Sequence, residues 1–153
     1  FEEMTAGLQA RILEVDNAAY QVVAHPGEFD VIVAPNLFGD IISDCASLLL
    51  GSRGMSYSGN FATGGVGVYQ TGHGCAHELA GRGVANPLGQ IRSVAMMLRE
   101  SFGLQAEADR IESAMEAVLR TGVRTADIAA PGSTVVGTEE MARQILAAVE
   151  RGS

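Results

Sequence analysis

The segment that most constrains this chain is residues 29–40: Phe29-Asp30-Val31-Ile32-Val33-Ala34, then Pro35-Asn36-Leu37-Phe38-Gly39-Asp40. A short β-branched run, bounded by Pro26-Gly27 before it and Pro35-Asn36 after it, predicts a strand buried on both faces. The turn that follows opens a predicted helix reaching Leu50. A strand, a tight turn and a helix bearing acids is a common way to build a site at the carboxyl end of a sheet.

The flanking sequence supplies helices and one irregular stretch. Over residues 4–24 the apolar positions Leu8, Ile12, Val15, Ala19 and Val22 recur at three- and four-residue steps, which predicts helix at least over the second half, stopped by His25-Pro26-Gly27. Residues 51–74 are dense in Gly and Ser, so loops and short strands are expected there, the alternating piece Gly65-Val66-Gly67-Val68-Tyr69 among them. This stretch is read as the crossover between domains. Asn86-Pro87 caps and begins a predicted helix over 87–102, ended by Gly103. A further helix is expected over 105–120, then a loop with Asp127 and Pro131-Gly132. A closing helix starts from Thr138, with Thr138-Glu139-Glu140 as cap and acidic first turn.

Composition narrows the partners. The formal net charge is -8, which repels phosphate backbones and anionic lipid and so argues against nucleic acid and membrane partners. All 10 basic residues are arginine, so Schiff-base or lysine general-base chemistry cannot start from this chain. Cys45 and Cys75 suggest neither a disulfide framework nor a zinc site, which fits a reducing cytoplasm. The apolar run 46–50 is far too short to span a membrane. The start at Phe1, without an initiator Met or a signal-like segment, reads as a truncated piece.

Asp40 and Asp44 lie four apart on the predicted helix, so both carboxylates project from one face near its N-terminus. Two acids on a solvated helix end, meeting its dipole, is the plain structural alternative. A hard divalent cation, Mg²⁺ or Mn²⁺, would turn their repulsion into attraction, because such ions prefer carboxylate, water and substrate oxygens. Asp16, on the preceding helix, is the candidate third ligand.

The order of several segments adds to this: Val15-Asp16-Asn17-Ala18-Ala19, Phe29-Asp30-Val31-Ile32-Val33, Asn36-Leu37-Phe38-Gly39-Asp40-Ile41-Ile42-Ser43-Asp44, Gly83-Val84-Ala85-Asn86-Pro87, Ala95-Met96-Met97-Leu98-Arg99, Arg124-Thr125-Ala126-Asp127-Ile128 and Gly137-Thr138-Glu139-Glu140-Met141. Together they resemble the C-terminal half of a 3-isopropylmalate dehydrogenase-like member of the isocitrate and isopropylmalate dehydrogenase family. The resemblance implies a two-domain α/β fold with a central sheet flanked by helices. Residues 1–51 would be part of the dimer-forming, metal-site domain and 52–153 the C-terminal part of the NAD-binding domain. Asp40 and Asp44 are similar to the metal aspartates of one site, and Asp16 to the aspartate that reaches the partner subunit's site, so a homodimer is implied.

Gly72-His73-Gly74-Cys75-Ala76-His77-Glu78-Leu79-Ala80-Gly81 resembles the family's cofactor loop. His73, Gly74, Cys75, Ala76, Glu78 and Asn86 are therefore the candidate NAD contacts, with Asp127 a further candidate. Glycines allow close backbone approach to a phosphate or ribose. A carboxylate at Glu78 can accept the adenosine ribose 2′-hydroxyl while repelling a 2′-phosphate, which favours NAD over NADP.

The implied activity is metal- and NAD-dependent oxidative decarboxylation of a 3-substituted malate, as in leucine biosynthesis. Isocitrate or tartrate dehydrogenation is the alternative within the family, and a non-catalytic nucleotide- or metal-binding module, or a structural subunit, the alternative outside it. The sequence departs from the family pattern at Gln70-Thr71, Cys75, His77 and 56–60, all bordering the cofactor and nicotinamide region. The family's catalytic Lys and Tyr fall outside the matched segments, so the chain alone is expected to be inactive.

Overall fold

The structure, a computed structural model, describes residues 7–152. The start of the first expected helix near residue 4, and Phe1, lie outside the described residues. The chain divides into two compact units, Phe1–Leu48 and Leu49–Ser153.

The first unit holds helices α1 (Val15–Ala24) and α2 (Asn36–Ala46), and the 3-10 turn at Ser47–Leu50 that follows α2 spans the boundary between the units. Helix α1 ends where His25-Pro26 interrupts the periodicity, and one face of it closes on α2 through buried Ala18, Val22 and Ile42. Phe29, Leu13 and Cys45 pack around this small core, and the Arg11 guanidinium sits 5.2 Å from the centre of the Phe29 ring while pairing with Glu28 at 2.9 Å. Leu8 and Ile12 lie ahead of the helix and are exposed, so the apolar spacing there is not matched by packing.

The strand expected over residues 29–34 does not form. These residues carry no ladder, and Val31 and Val33 are 82% and 88% exposed. A strand buried on both faces needs a neighbour on each side, and the described residues of this unit contain no other strand to supply one.

The second unit begins with an antiparallel hairpin, β1 (Tyr57–Phe61) and β2 (Gly67–Thr71), in the Gly- and Ser-rich stretch whose composition predicts short strands. Three helices follow: α3 (Leu88–Phe102), α4 (Gln105–Arg120) and α5 (Thr138–Arg151). Between the last two, β3 (Val123–Arg124) pairs in parallel with β4 (Thr134–Val135). The core is Leu88, Met115, Val118, Val123, Met141 and Ile145, drawn from all three helices and β3.

The hairpin lies on α3. Ser93 Oγ reaches the Gln70 carbonyl at 2.8 Å as well as the Gly89 carbonyl of its own helix at 3.0 Å. Gly89 is required for this approach, since a Cβ there would lie 2.5 Å from the Ser56 carbonyl oxygen. Helices α3 and α4 turn through Gly103 in the left-handed region. They are also joined by Arg99, whose guanidinium grips Glu112 through both carboxylate oxygens and Asp109 at 2.9 Å. The Glu112 bonds first, then Asp109, raise the Arg99 pKa above its ordinary value.

Helix α5 corrects one detail. Gly137, not Thr138, occupies the cap position, and the Thr138 hydroxyl points away from its own helix to donate to the Ala85 carbonyl. A tertiary acceptor has taken the hydroxyl that a local cap would use. Cys45 and Cys75 are both free thiols, and no helix among the described residues is long and apolar enough to cross a membrane.

Candidate functional site

Each unit carries one group of candidate residues. In the first, Asp40 and Asp44 stand one turn apart on α2, near the surface rather than in its core. Asn36, in the first turn, donates from Nδ2 to Asp40 Oδ2 at 3.0 Å and fixes that carboxylate. The hydroxyls of Ser43 and Ser47 donate to the Asp40 and Asp44 carbonyls, at 3.0 and 2.7 Å, along the same helix. Asp16, in the first turn of α1, is exposed and accepts the Asn17 N–H at 2.7 Å. Among the described residues no set of three or more His, Cys, Asp or Glu side chains gathers as a metal cage, so Asp16 is not brought together with the α2 pair. What the chain offers a cation is two oxygen ligands on one helix face, a donor set chemically suited to Mg²⁺ or Mn²⁺ that leaves further positions for other ligands.

The second group is the loop from Gly72 to Gly83. At its entry the Gly72 N–H donates to the Ser56 carbonyl at 3.1 Å, and the Gly72 carbonyl accepts from Arg53 at 3.3 Å. A Cβ at Gly72 would lie 2.3 Å from Ser56 Oγ, so a side chain there would force the serine hydroxyl to turn away. His73, Gly74, Cys75, Ala76, His77 and Glu78 are all exposed. Ala76 adopts φ 43°, in the left-handed region, and leads into a short 3-10 turn at His77–Leu79. His73 Nδ1 contacts the Gly74 carbonyl at 2.8 Å. Glu78 is exposed, and its carbonyl accepts from Arg82 at 3.5 Å.

Asn86 differs from the rest because it is 9% exposed and both ends of its amide are engaged. Its Oδ1 accepts the Leu88 N–H at 2.9 Å from one position ahead of Pro87, which holds the cap position expected of Asn86, and its Nδ2 donates to Asp127 Oδ2 at 3.0 Å. The two partners fix the amide orientation, since a backbone N–H can only donate and an ionised carboxylate can only accept. One Nδ2 hydrogen is left for another acceptor. Partial burial of Asp127 pushes its pKa upward, but the polar groups around its carboxylate, Ser52 and the Asn86 amide among them, outweigh this and hold it below the usual carboxylate value.

Gly54 backs onto this pair so closely that a Cβ would lie 2.7 Å from the Asn86 Cβ and 3.0 Å from Asp127 Oδ2. Nothing in the sequence motifs singles out Ser52 or Gly54. Their only local signal is the Ser-x-Gly spacing of the turn, in which Ser52 Oγ accepts the Gly54 N–H at 3.0 Å.

The family model for isocitrate/isopropylmalate dehydrogenase matches residues 2–145, and the chain belongs to that family. It is similar to the 3-isopropylmalate dehydrogenases of Desulfitobacterium hafniense (strain Y51), at 55% identity over 88% of this chain, and of Pseudomonas syringae pv. tomato, at 54% over 90%. In both cases the match spans 38% of the relative's length. Among solved structures it is similar to isocitrate dehydrogenase from Methylococcus capsulatus, with TM-score 0.82 and 40% identity, covering 88% of this chain and 39% of that one. The TT0538 protein from Thermus thermophilus gives TM-score 0.86 and 36% identity over 96% of this chain and 29% of that one. The mixed helix and sheet described above thus belongs to the α/β class, as part of a larger fold.

Proposed function

We propose that this chain supplies the metal aspartates and the NAD loop of a dehydrogenase that oxidatively decarboxylates a 3-substituted malate, 3-isopropylmalate or a close analogue. The observation that carries this reading is the match to 3-isopropylmalate dehydrogenases at 55% and 54% identity over 88% and 90% of this chain. The chain spans about 38% of those relatives, and the Lys and Tyr expected for acid–base catalysis are assigned to the part it does not include. Without them the segment alone would lack turnover, because general acid–base help is worth about 10²–10⁴-fold in rate.

When bound, the divalent ion supplies positive charge where substrate oxygen becomes anionic, and NAD supplies the hydride acceptor. The chain's own residues hold and orient. Asp40 and Asp44 present oxygen ligands from one helix face, with Asn36 limiting the rotation of Asp40. Asp16 serves the site of a second copy, in a homodimer. His73, Gly74, Cys75 and Ala76 present an exposed, tightly turned backbone to the cofactor. Glu78 would hold the adenosine ribose, and Asn86, with one amide hydrogen left, would hold the adenine. The first unit is assigned to the dimer-forming domain and the second to the NAD domain.

Isocitrate is the second substrate to test, favoured by the structural likeness to an isocitrate dehydrogenase. The test is NADH formation by the full-length protein with Mn²⁺ and, in parallel, 3-isopropylmalate, isocitrate, malate and tartrate. Reduction with 3-isopropylmalate is expected. Silence with all four, in a protein carrying the Lys and Tyr, would overturn 3-isopropylmalate as the substrate in favour of a different 3-substituted malate or a binding role.

A further inference from the structure

The loop 73–82 is held mainly at its ends. Its internal bonds are local: Leu79 N–H to Ala76 at 2.8 Å, Ala80 N–H to His77 at 3.2 Å and Arg82 N–H to Leu79 at 3.1 Å. The loop therefore keeps its own shape, while its placement depends on two anchors. The entry anchor is Gly72 on Ser56 and Arg53.

The exit anchor is the first turn of α5. The Thr138 N–H donates to the Gly83 carbonyl at 2.8 Å, and the Thr138 hydroxyl donates to the Ala85 carbonyl. One residue thus holds the chain at two points, three residues and one residue before Asn86. The approach is close enough that a Cβ on Gly137 would lie 2.6 Å from the Gly83 oxygen. Gly83 itself has φ 63°, a turn that fixes the direction in which the loop leaves.

We infer that Thr138 is a positioning residue for the cofactor loop, setting the relation between Glu78 on the loop and Asn86 at its base. This rests on the reading of 73–78 as the NAD loop. The bond from the Thr138 N–H survives any substitution except proline, whereas the bond to Ala85 needs a hydroxyl. Removing the hydroxyl should free the exit segment to shift without removing any group that touches the cofactor. A displacement of this kind weakens binding more than it slows the bound complex.

The test compares Thr138→Ala and Thr138→Ser in the full-length protein, with Glu78→Ala alongside. Thr138→Ala is expected to raise the Kd for NAD, measured by calorimetry, by about 5- to 10-fold, matching one lost hydrogen bond of about 1 kcal/mol. It should raise the KM for NAD with kcat within about twofold, and Thr138→Ser should restore both. Unchanged NAD affinity in Thr138→Ala, or a Thr138→Ser variant as weak as Thr138→Ala, would overturn the inference. A lowered unfolding midpoint with wild-type NAD affinity would do so too, by showing a purely structural bond. Should Thr138→Ala fail to fold, Thr138→Ser decides alone, since it must bind NAD as the wild type does. If Glu78→Ala leaves NAD binding untouched, the assignment of the loop itself fails, which is a distinct result.

Discussion

The two units of this chain bury their apolar residues to different extents. The second unit gathers Leu88, Met115, Val118, Val123, Met141 and Ile145 into one core shared by three helices. The first buries a much smaller cluster, Ala18, Val22 and Ile42, and leaves Val31, Ile32, Val33, Leu37, Phe38 and Ile41 exposed. The second unit has a core of its own, although Phe61, Val68, Phe102 and Leu146 stay exposed on it. The first unit leaves the apolar run 29–34 without a strand partner among its described residues.

The sharpest way to exploit the contrast is at the acids of α2. Replacing Asp40 and Asp44 together with Asn in the full-length protein should reduce Mn²⁺-dependent activity by at least about a hundredfold, with the unfolding midpoint little changed, because neither side chain belongs to the buried core. Retained activity would remove the metal assignment. In the second unit the expected effect is on stability instead. Leu88→Ala, at a fully buried position, should cost about 2–5 kcal/mol in denaturant unfolding, and a loss below about 1 kcal/mol would mean that this core is not the cooperative unit.

Asp127→Asn tests a smaller quantity with a distinctive pH dependence. Because hydrogen bonds hold the folded Asp127 carboxyl below its ordinary value, its contribution is present above the unfolded pKa, near 4, and is lost as pH falls through the folded value. The wild type should therefore exceed the variant at neutral pH by only about 0.5–1 kcal/mol, because solvent screens a partly exposed carboxylate. The gap should close in acid, and one that widened below about pH 4 would contradict the lowered pKa.

The smallest effect belongs to the first unit. Val33→Ser should change the stability of this chain by less than about 0.5 kcal/mol, since Val33 is 88% exposed. In the full-length protein the same change should cost more, and equal effects in both would show that residues 29–34 stay unpaired there as well.

The same contrast explains what is legible in the sequence. Helix α4, Gln105–Arg120, appears with the expected bounds, and α3 begins one residue from the expected start. Their apolar stripes pack on elements of the same unit, so the signal and its satisfaction lie in one chain. The run 29–34 has a clear strand pattern yet forms no strand, because pairing is non-local. The acids of α2 are legible from four-residue spacing. The Asn86–Asp127 bond joins positions 41 residues apart, so the sequence presents it only as two separate candidates. Thr138 is legible as a residue at a helix start but not as a clasp, since a local cap and a tertiary donor look alike in sequence.

Ala76 is, among the described residues, the non-glycine position with positive φ. Holding an L-residue there costs about 1–2 kcal/mol, a penalty that glycine would remove. Yet glycine would also multiply the shapes open to an idle loop, and each would have to be given up at the moment of capture. If the loop holds NAD as proposed, a strained alanine shifts part of the ordering cost from the encounter with the cofactor to the folding of the protein, so that recognition begins from a loop already wound.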